Sequence, residues 1–113
     1  MIIKVKRAYD GVSKGDGLRV LADRLWPRGV SKISAKIDVW AKDVAPSNEL
    51  RVWFHGDKEK RFGAFSKRYK QELSKSGEVV KLKKTLRGKK VVTIVTGVKD
   101  IERSHIPILL KLL

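Results

Sequence analysis

Residues 91–96 read Val-Val-Thr-Ile-Val-Thr, and this stretch decides the fold class. All six side chains are β-branched, and such side chains favour extended backbone over helix. The run contains no charged residue, which is typical of a strand that is covered on both faces. It therefore predicts a single α/β domain. We expect a mixed or mostly parallel sheet with helices on both faces, a three-layer arrangement that is Rossmann-like or flavodoxin-like in outline.

The segments before this strand predict two more strands and several helices. Residues 2–7 alternate and predict a first strand, and Leu18 to Leu25 predicts a second extended segment that ends before Pro27. Residues 30–46 are compatible with a short helix followed by an extended stretch. An apolar spacing of three, four and four predicts an amphipathic helix over residues 59–75. The residues that carry this spacing are Phe62, Phe65, Tyr69 and Leu73.

Polar residues mark where further helices begin. Ser47 is a candidate N-cap for a short helix through Leu50 and Phe54, and Asp57 is a candidate cap for the helix that follows. The spacing of Val79, Leu82 and Leu86 predicts another amphipathic helix. A last helix contains Pro107, which fits its first turn if Ser104 is the N-cap.

Length and composition exclude several classes of protein. A chain of 113 residues with 42% hydrophobic residues suits one domain, residues 1–113. The absence of cysteine excludes disulfides and cysteine zinc sites, and the two histidines form no local pair, so we predict neither a metal nor a cofactor. No apolar run is long enough for a membrane helix. We expect a cytoplasmic protein, because residues 2–7 alternate too soon for a signal peptide. Abundant lysine with few amides is typical of thermophile proteins.

The net charge of +15 raises the possibility of polyanion binding. Residues 58–90 carry 13 Lys or Arg against three Glu. A surface of this kind attracts nucleic acid through counterion release, although no recognised nucleic-acid motif is present. The alternative interpretation is a solvated, lysine-rich surface. The candidate nucleic-acid contacts are Lys60, Arg61, Lys67, Arg68, Lys70, Lys83 and Lys84.

Two loops that follow predicted strands are candidates for a small-anion site. Loops at the carboxyl ends of strands are the usual ligand positions in open α/β sheets. The first, residues 23–29, offers arginines that can hold a phosphate or carboxylate. The second, residues 97–100, offers backbone N–H groups and a lysine. The candidate ligand-binding residues are Arg24, Trp26, Pro27, Arg28, Lys42, Gly97, Lys99 and Asp100.

The polar residues of this site have a catalytic and a structural interpretation. If the protein is an enzyme, Asp23 is the candidate general base and Arg28 the candidate charge stabiliser, acting on a phosphate ester or a nucleotide. The structural alternative is that Asp23 pairs with an arginine, Trp26 fills the core and Asp100 caps a helix. A ligand site formed by the two loops requires Pro27 and Gly97, seventy positions apart, to lie side by side.

Residues 19–30, Arg-Val-Leu-Ala-Asp-Arg-Leu-Trp-Pro-Arg-Gly-Val, closely resemble the signature of the YeaO-like proteins, domain-of-unknown-function family 488. Blocks at residues 40–55, 65–73 and 98–100 resemble that family in the same order. The resemblance implies a small α/β domain of bacteria and archaea with no established activity. It also implies a ligand site at the polar and rigid positions of these blocks. Those positions are Asp23, Arg24, Pro27, Arg28, Lys42, Lys99 and Asp100.

The chain departs from the family pattern near its C-terminal block. It carries Glu-Arg-Ser-His at residues 102–105, where members usually carry a Glu-His-Asn stretch, and Thr96 where an aromatic is common. More distant relatives place cysteines near this corner, and this chain has none. Chemistry that depends on those residues is therefore not implied for this protein.

Overall fold

A four-stranded parallel sheet organises the computed structural model, which describes residues 1–113. The strands are β1 (Ile2–Arg7), β2 (Leu18–Leu21), β3 (Val39–Trp40) and β4 (Val91–Thr96), and their order across the sheet is β1-β4-β2-β3. β4 pairs with β1 on one side and with β2 on the other, in parallel register. The predicted α/β class is confirmed, and β4 is the buried central strand that its composition predicts.

Five α-helices complete the fold. They are α1 (Lys32–Ala35), α2 (Asn48–His55), α3 (Lys58–Ser76), α4 (Glu78–Leu86) and α5 (Ile106–Leu112). Single turns of 3₁₀ helix occur at Ala8–Asp10, Lys14–Asp16, Lys42–Val44 and Ile101–Arg103. No helix combines the length and the apolar character that crossing a lipid bilayer requires.

The predicted helix starts at Ser47 and Asp57 are confirmed, and the start of the last helix is corrected. The side chains of Ser47 and Asp57 accept hydrogen bonds from backbone N–H groups in the first turns of α2 and α3. α5 begins one residue later than predicted, with His105 rather than Ser104 as its N-cap. The Ser104 hydroxyl still accepts the Ile106 N–H, and Pro107 lies in the first turn.

The second strand is shorter than predicted and ends at Leu21 instead of Leu25. Ala22 still donates its N–H to the Val95 carbonyl. At the next residue the pairing changes, because the Asp23 carboxylate, and not a backbone carbonyl, accepts the Gly97 N–H. A hydrogen bond to a side chain therefore replaces the backbone pairing of the sheet where β2 and β4 end.

The four longer helices, α2 to α5, cover one face of the sheet. Val20 and Ile94 are fully buried on this face and belong to one continuous apolar core with Phe65, Tyr69 and Leu109. Phe54 of α2 stacks on Phe65 of α3 with 4.1 Å between ring centres, which fixes these two helices relative to each other. The predicted apolar face of α3 is therefore the face that meets the core.

The other face of the sheet is covered by residues 8–17 and the short α1, and its centre is polar. Asp16 is 2% exposed and lies 2.8 Å from the Lys6 ammonium and 2.6 Å from the Arg19 guanidinium. Thr93 of β4 donates its hydroxyl to the Asp16 carbonyl, and Arg19 donates to the Ala35 carbonyl of α1. This layer is held by an ion-pair network in place of a large apolar core.

Candidate functional site

A cleft opens at the carboxyl ends of the two central strands. The chain leaves β2 toward α1 on the polar face and leaves β4 toward α5 on the apolar face. Adjacent parallel strands whose connections go to opposite faces leave a crevice at this edge, and ligands bind there in open α/β sheets. The cleft has a volume of about 620 Å³.

The two predicted loops meet at this cleft. A β-carbon built on Gly97 would lie 3.5 Å from the Pro27 Cβ and 3.5 Å from the Asp23 carboxylate. Segments seventy positions apart in the sequence are therefore in direct contact, as the site requires. Of the predicted ligand-binding residues, the cleft is lined by Arg24, Trp26, Pro27, Arg28, Gly97 and Asp100, together with the candidate base Asp23.

Asp23 fixes the two loops to each other. Its Oδ1 accepts a hydrogen bond from the Thr96 hydroxyl at 2.7 Å, and its Oδ2 accepts the Gly97 N–H at 2.7 Å. The His105 Nε2 lies 3.5 Å from Oδ1 and makes a hydrogen bond of 2.6 Å with the Ala22 carbonyl. Both carboxylate oxygens thus have partners within the protein, which suits a positioning role for Asp23.

Arg24 lines the cleft but directs its donors into the protein. Its Nε donates to the Pro46 carbonyl at 2.9 Å and its Nη2 to the Ala45 carbonyl at 3.0 Å, while Asp43 lies 3.6 Å from Nη1. The guanidinium therefore holds the segment that leads into α2. This placement removes most of its capacity to grip a ligand in forked geometry.

Trp26 is anchored in a similar way beside the cleft. Its indole Nε1 donates to the Val30 carbonyl at 2.7 Å, and its ring packs edge-on against Trp40 with 5.4 Å between ring centres. Asp100 is exposed and its carboxylate accepts the Arg103 N–H, so it caps the 3₁₀ turn that follows β4. The predicted capping role of Asp100 is thus present alongside its place in the cleft.

Lys42 and Lys99 lie outside the cleft. Lys42 belongs to the turn after the edge strand β3, and its ammonium lies 5.3 Å from the Trp40 ring centre. Lys99 is exposed and is not a lining residue. The structure does not bring these two lysines together with Arg28.

Three further cationic side chains and the imidazole of His55 line the cleft, although the loops alone did not indicate them. Arg51 and His55 come from α2, Lys58 from the start of α3, and Arg103 from the turn after β4. The spacing of four between Arg51 and His55 is a signal in the sequence, since it places both on one side of α2. Lys58 lies beyond the helix break at residues 56–57, so this spacing does not extend to it. That these three residues face the 23–29 loop depends on how α2 packs on α3.

The cleft carries an excess of two positive charges with both histidines neutral. Five lining side chains are cationic and three are anionic. The cationic residues are Arg24, Arg28, Arg51, Lys58 and Arg103, and the anionic residues are Asp23, Glu59 and Asp100. Apart from Arg24, none of these cations forms a salt bridge.

Two lining residues, Arg51 and His55, lack the negative partners that their surroundings call for. The Arg51 Nη2 donates to Asn48 at 2.7 Å, but its buried Nε has no hydrogen-bond partner. Burial, together with the positive charges of Lys58 and Arg51, lowers the pKa of His55 below its usual value. An anion in the cleft would supply what these groups lack, which is negative charge.

The basic helices are arranged differently. The guanidinium groups of Arg61 and Arg68 lie over the Trp53 ring at 4.8 and 4.3 Å from its centre, and Arg61 also donates to the Trp53 carbonyl. These two arginines of the candidate nucleic-acid set thus contribute to packing between α2 and α3. The five lysines of the set are exposed and form no salt bridge. They are Lys60, Lys67, Lys70, Lys83 and Lys84.

Comparison with known proteins places the chain in a family. The family model described as "Inactive DUF488-N3 subclade" matches residues 2–113, so the chain belongs to this branch of the DUF488 family. Uncharacterized proteins of Mycobacterium tuberculosis and Mycobacterium bovis are 45% identical over 111 residues, which is 98% of this chain and 92% of theirs. Uncharacterized protein YeaO of Escherichia coli is 36% identical over 105 residues, 93% of this chain and 90% of its own length. No protein of solved structure matches the chain.

Proposed function

We propose that the protein binds a small anion, a phosphate or a carboxylate, in the cleft between the 23–29 loop and the 97–100 corner. The observation that carries this proposal is the set of unpaired cations at the cleft, Arg28, Arg51, Lys58 and Arg103. Like charges gathered at one cleft repel one another, and a bound anion relieves that repulsion. The position at the switch point of the sheet supports the same proposal.

Two observations favour binding without catalysis. Asp23, the candidate base, uses both of its oxygens to join Thr96 and Gly97. Hydrogen bonds to both oxygens hold the carboxylate between the two loops instead of leaving it free to face a ligand. The description of the subclade as inactive agrees with this arrangement. The proposed role is therefore that of a binding protein for an anionic compound.

Calorimetric titration with inorganic phosphate at low ionic strength tests the proposal. We expect saturable binding by the wild-type chain and about tenfold weaker binding by Arg51→Gln, because a hydrogen bond to a charged group contributes about 1.5–3 kcal/mol. The double variant Arg28→Gln/Lys58→Gln should weaken binding further. The matched control is Lys67→Gln/Lys70→Gln, which removes the same charge from α3.

The control decides between a site and a general electrostatic effect. If the α3 variant weakens phosphate binding as much as the cleft variant, net charge and not the cleft is responsible. Absence of saturable binding to the wild-type chain would overturn the proposal. Thermal unfolding of every variant should remain cooperative, which shows that an affinity change is not a folding change.

A second candidate function is binding of polynucleotides by the exposed lysines of α3 and α4. The observation that favours it is that these five side chains have no acidic partner. Lysines that contact phosphates release counterions, so the affinity should fall steeply with salt. Under this function Lys67→Gln/Lys70→Gln weakens binding to single-stranded or duplex oligonucleotides and reduces the salt slope, whereas Arg51→Gln has little effect. A salt-insensitive affinity would exclude it.

A further inference from the structure

The walls of the cleft differ in chemistry, and this difference bears on the kind of anion that fits. The wall formed by α2 and α3 presents Arg51, His55 and Lys58. The wall formed by Tyr9 and the 23–29 loop presents large apolar surfaces next to Arg28, while Arg24 of the same loop donates to backbone carbonyls. An inorganic phosphate would contact the first wall and Arg28 but would leave the apolar side chains of the second wall uncovered.

Two large side chains of the apolar wall are more than half exposed. Tyr9 is 51% exposed and Leu25 is 57% exposed, although both line the cleft. Exposed apolar surface beside a polar rim commonly marks a ligand or partner site. A ligand with an apolar part would cover these side chains, whereas a phosphate ion would leave them in water.

The Tyr9 ring is held in place from two directions. Its hydroxyl donates to the Arg28 carbonyl at 3.2 Å, and the Arg7 guanidinium lies 5.2 Å from its ring centre. Arg7 is itself fixed, because its Nε donates to the Val98 carbonyl at the other loop of the cleft. An aromatic ring that is immobilised and still half exposed is a ready platform for stacking another ring.

Charge and volume define the rest of the ligand. The excess of two positive charges at the cleft matches a phosphomonoester, which carries about −1.5 to −2 at neutral pH, better than a monocarboxylate. The volume of about 620 Å³ falls within the range of about 300–1,000 Å³ that accommodates ligands of drug size. A phosphate group alone would leave most of this space to water.

We propose that the ligand of the cleft is a phosphomonoester that carries an aromatic ring system, of the size of a nucleoside monophosphate. The phosphate is held by the α2–α3 wall and Arg28, and the ring stacks on Tyr9 beside Leu25. This inference rests on the proposed anion-binding function and narrows its ligand class from any small anion to one with an aromatic body.

Four probes separate the two parts of the ligand in equilibrium titrations: inorganic phosphate, ribose 5-phosphate, adenosine 5′-monophosphate and adenosine. We expect the nucleotide to bind at least tenfold more tightly than ribose 5-phosphate, since stacking of a base on an aromatic side chain contributes about 1–3 kcal/mol. Adenosine should bind more weakly than the nucleotide, because it lacks the charged group. Uridine 5′-monophosphate, used as a fifth probe, should bind more tightly than ribose 5-phosphate but less tightly than adenosine 5′-monophosphate.

Two variants of Tyr9 make the test specific. Tyr9→Leu should remove the advantage of the nucleotide over ribose 5-phosphate and leave the affinity for inorganic phosphate unchanged. Tyr9→Phe keeps the ring and should keep most of that advantage. An affinity for the nucleotide equal to that for ribose 5-phosphate would overturn the inference while leaving the anion site intact. If neither phosphate nor any phosphate ester binds, the proposed function fails as well.

Discussion

Replacing Asp16 by asparagine tests the polar layer that covers the second face of the sheet. The Asp16 carboxylate is buried with Lys6 at 2.8 Å and Arg19 at 2.6 Å, and its Oδ2 also accepts the Ser13 N–H. The substitution keeps the shape of the side chain and removes its charge. Arg19, which is 3% exposed, then keeps a positive charge in a buried site without a carboxylate.

The expected loss in the free energy of unfolding follows from that unpaired charge on Arg19. Removing one partner of a buried ion pair destabilises a protein by about 3–5 kcal/mol, because the remaining charge stays desolvated. We expect the lower end, about 3 kcal/mol, since Lys6 is partly exposed and the asparagine oxygen still accepts one hydrogen bond. With a urea dependence of about 2 kcal/mol per molar, the midpoint of unfolding should fall by about 1.5 M.

The pH dependence of the stability is an independent test of the Asp16 ion pairs. Burial alone would raise the pKa of Asp16, but hydrogen bonds from Lys6, Ser13 and Arg19 outweigh it and lower the pKa to about 2. A carboxyl group whose pKa is lowered by folding stabilises the fold above its unfolded pKa, and this contribution is lost as the pH falls toward about 2. The stability difference between wild type and Asp16→Asn should therefore be constant above about pH 5 and shrink below pH 4.

Urea unfolding followed by circular dichroism at several pH values measures both effects. Glu102→Gln is the matched control, because Glu102 is exposed and makes no side-chain hydrogen bond or salt bridge. If Asp16→Asn unfolds at the same urea concentration as Glu102→Gln, the buried ion pair does not stabilise the fold. A stability difference that grows as the solution is acidified would likewise contradict the stabilising role of the Asp16 carboxylate.

Two further predictions concern a tight turn and the cleft. Gly17→Ala should abolish cooperative folding, because Gly17 has a φ of +63° and a β-carbon there would lie 2.1 Å from the Val91 carbonyl oxygen. Gly29→Ala should lower the free energy of unfolding by only about 1–2 kcal/mol in the same denaturant titration, because Gly29 has a φ of +78° but lies in open space. Binding of sulfate, whose charge is constant from pH 5.5 to 8, should strengthen as the pH falls through that interval. The reason is that burial and the charges of Lys58 and Arg51 lower the pKa of His55, and a bound anion favours its protonated form. His55→Gln should bind with a pH dependence that is clearly weaker, and an unchanged profile would contradict the role of His55.

The strands and the long helices were predictable because each carries its signal locally. The β-branched run of β4 indicates a strand buried on both faces, and the spacing of Phe62, Phe65 and Tyr69 indicates the buried side of α3. The contact between Pro27 and Gly97 was predictable in outline, since the carboxyl ends of neighbouring parallel strands meet at one edge. Local patterns and one topological rule thus account for the location of the cleft.

The cationic lining of the cleft depends on contacts that no local pattern contains. Arg24 was a candidate for ligand binding, but it donates to backbone carbonyls more than twenty positions away and so has a structural role. Arg51 and Lys58 reach the cleft because Phe54 stacks on Phe65 and fixes the angle between two helices. The end of β2 was missed because a side chain, that of Asp23, takes over a backbone hydrogen bond.

The site of anion binding can be located directly by nuclear magnetic resonance. Inorganic phosphate is titrated into ¹⁵N-labelled protein at low ionic strength, and the backbone amide signals are followed. Binding in the cleft should produce saturable shifts that cluster at residues 23–29, 51–59 and 96–105, with one common dissociation constant. Shifts that are confined to the exposed lysines of α3 and α4, or that rise without saturation over the whole surface, would contradict it.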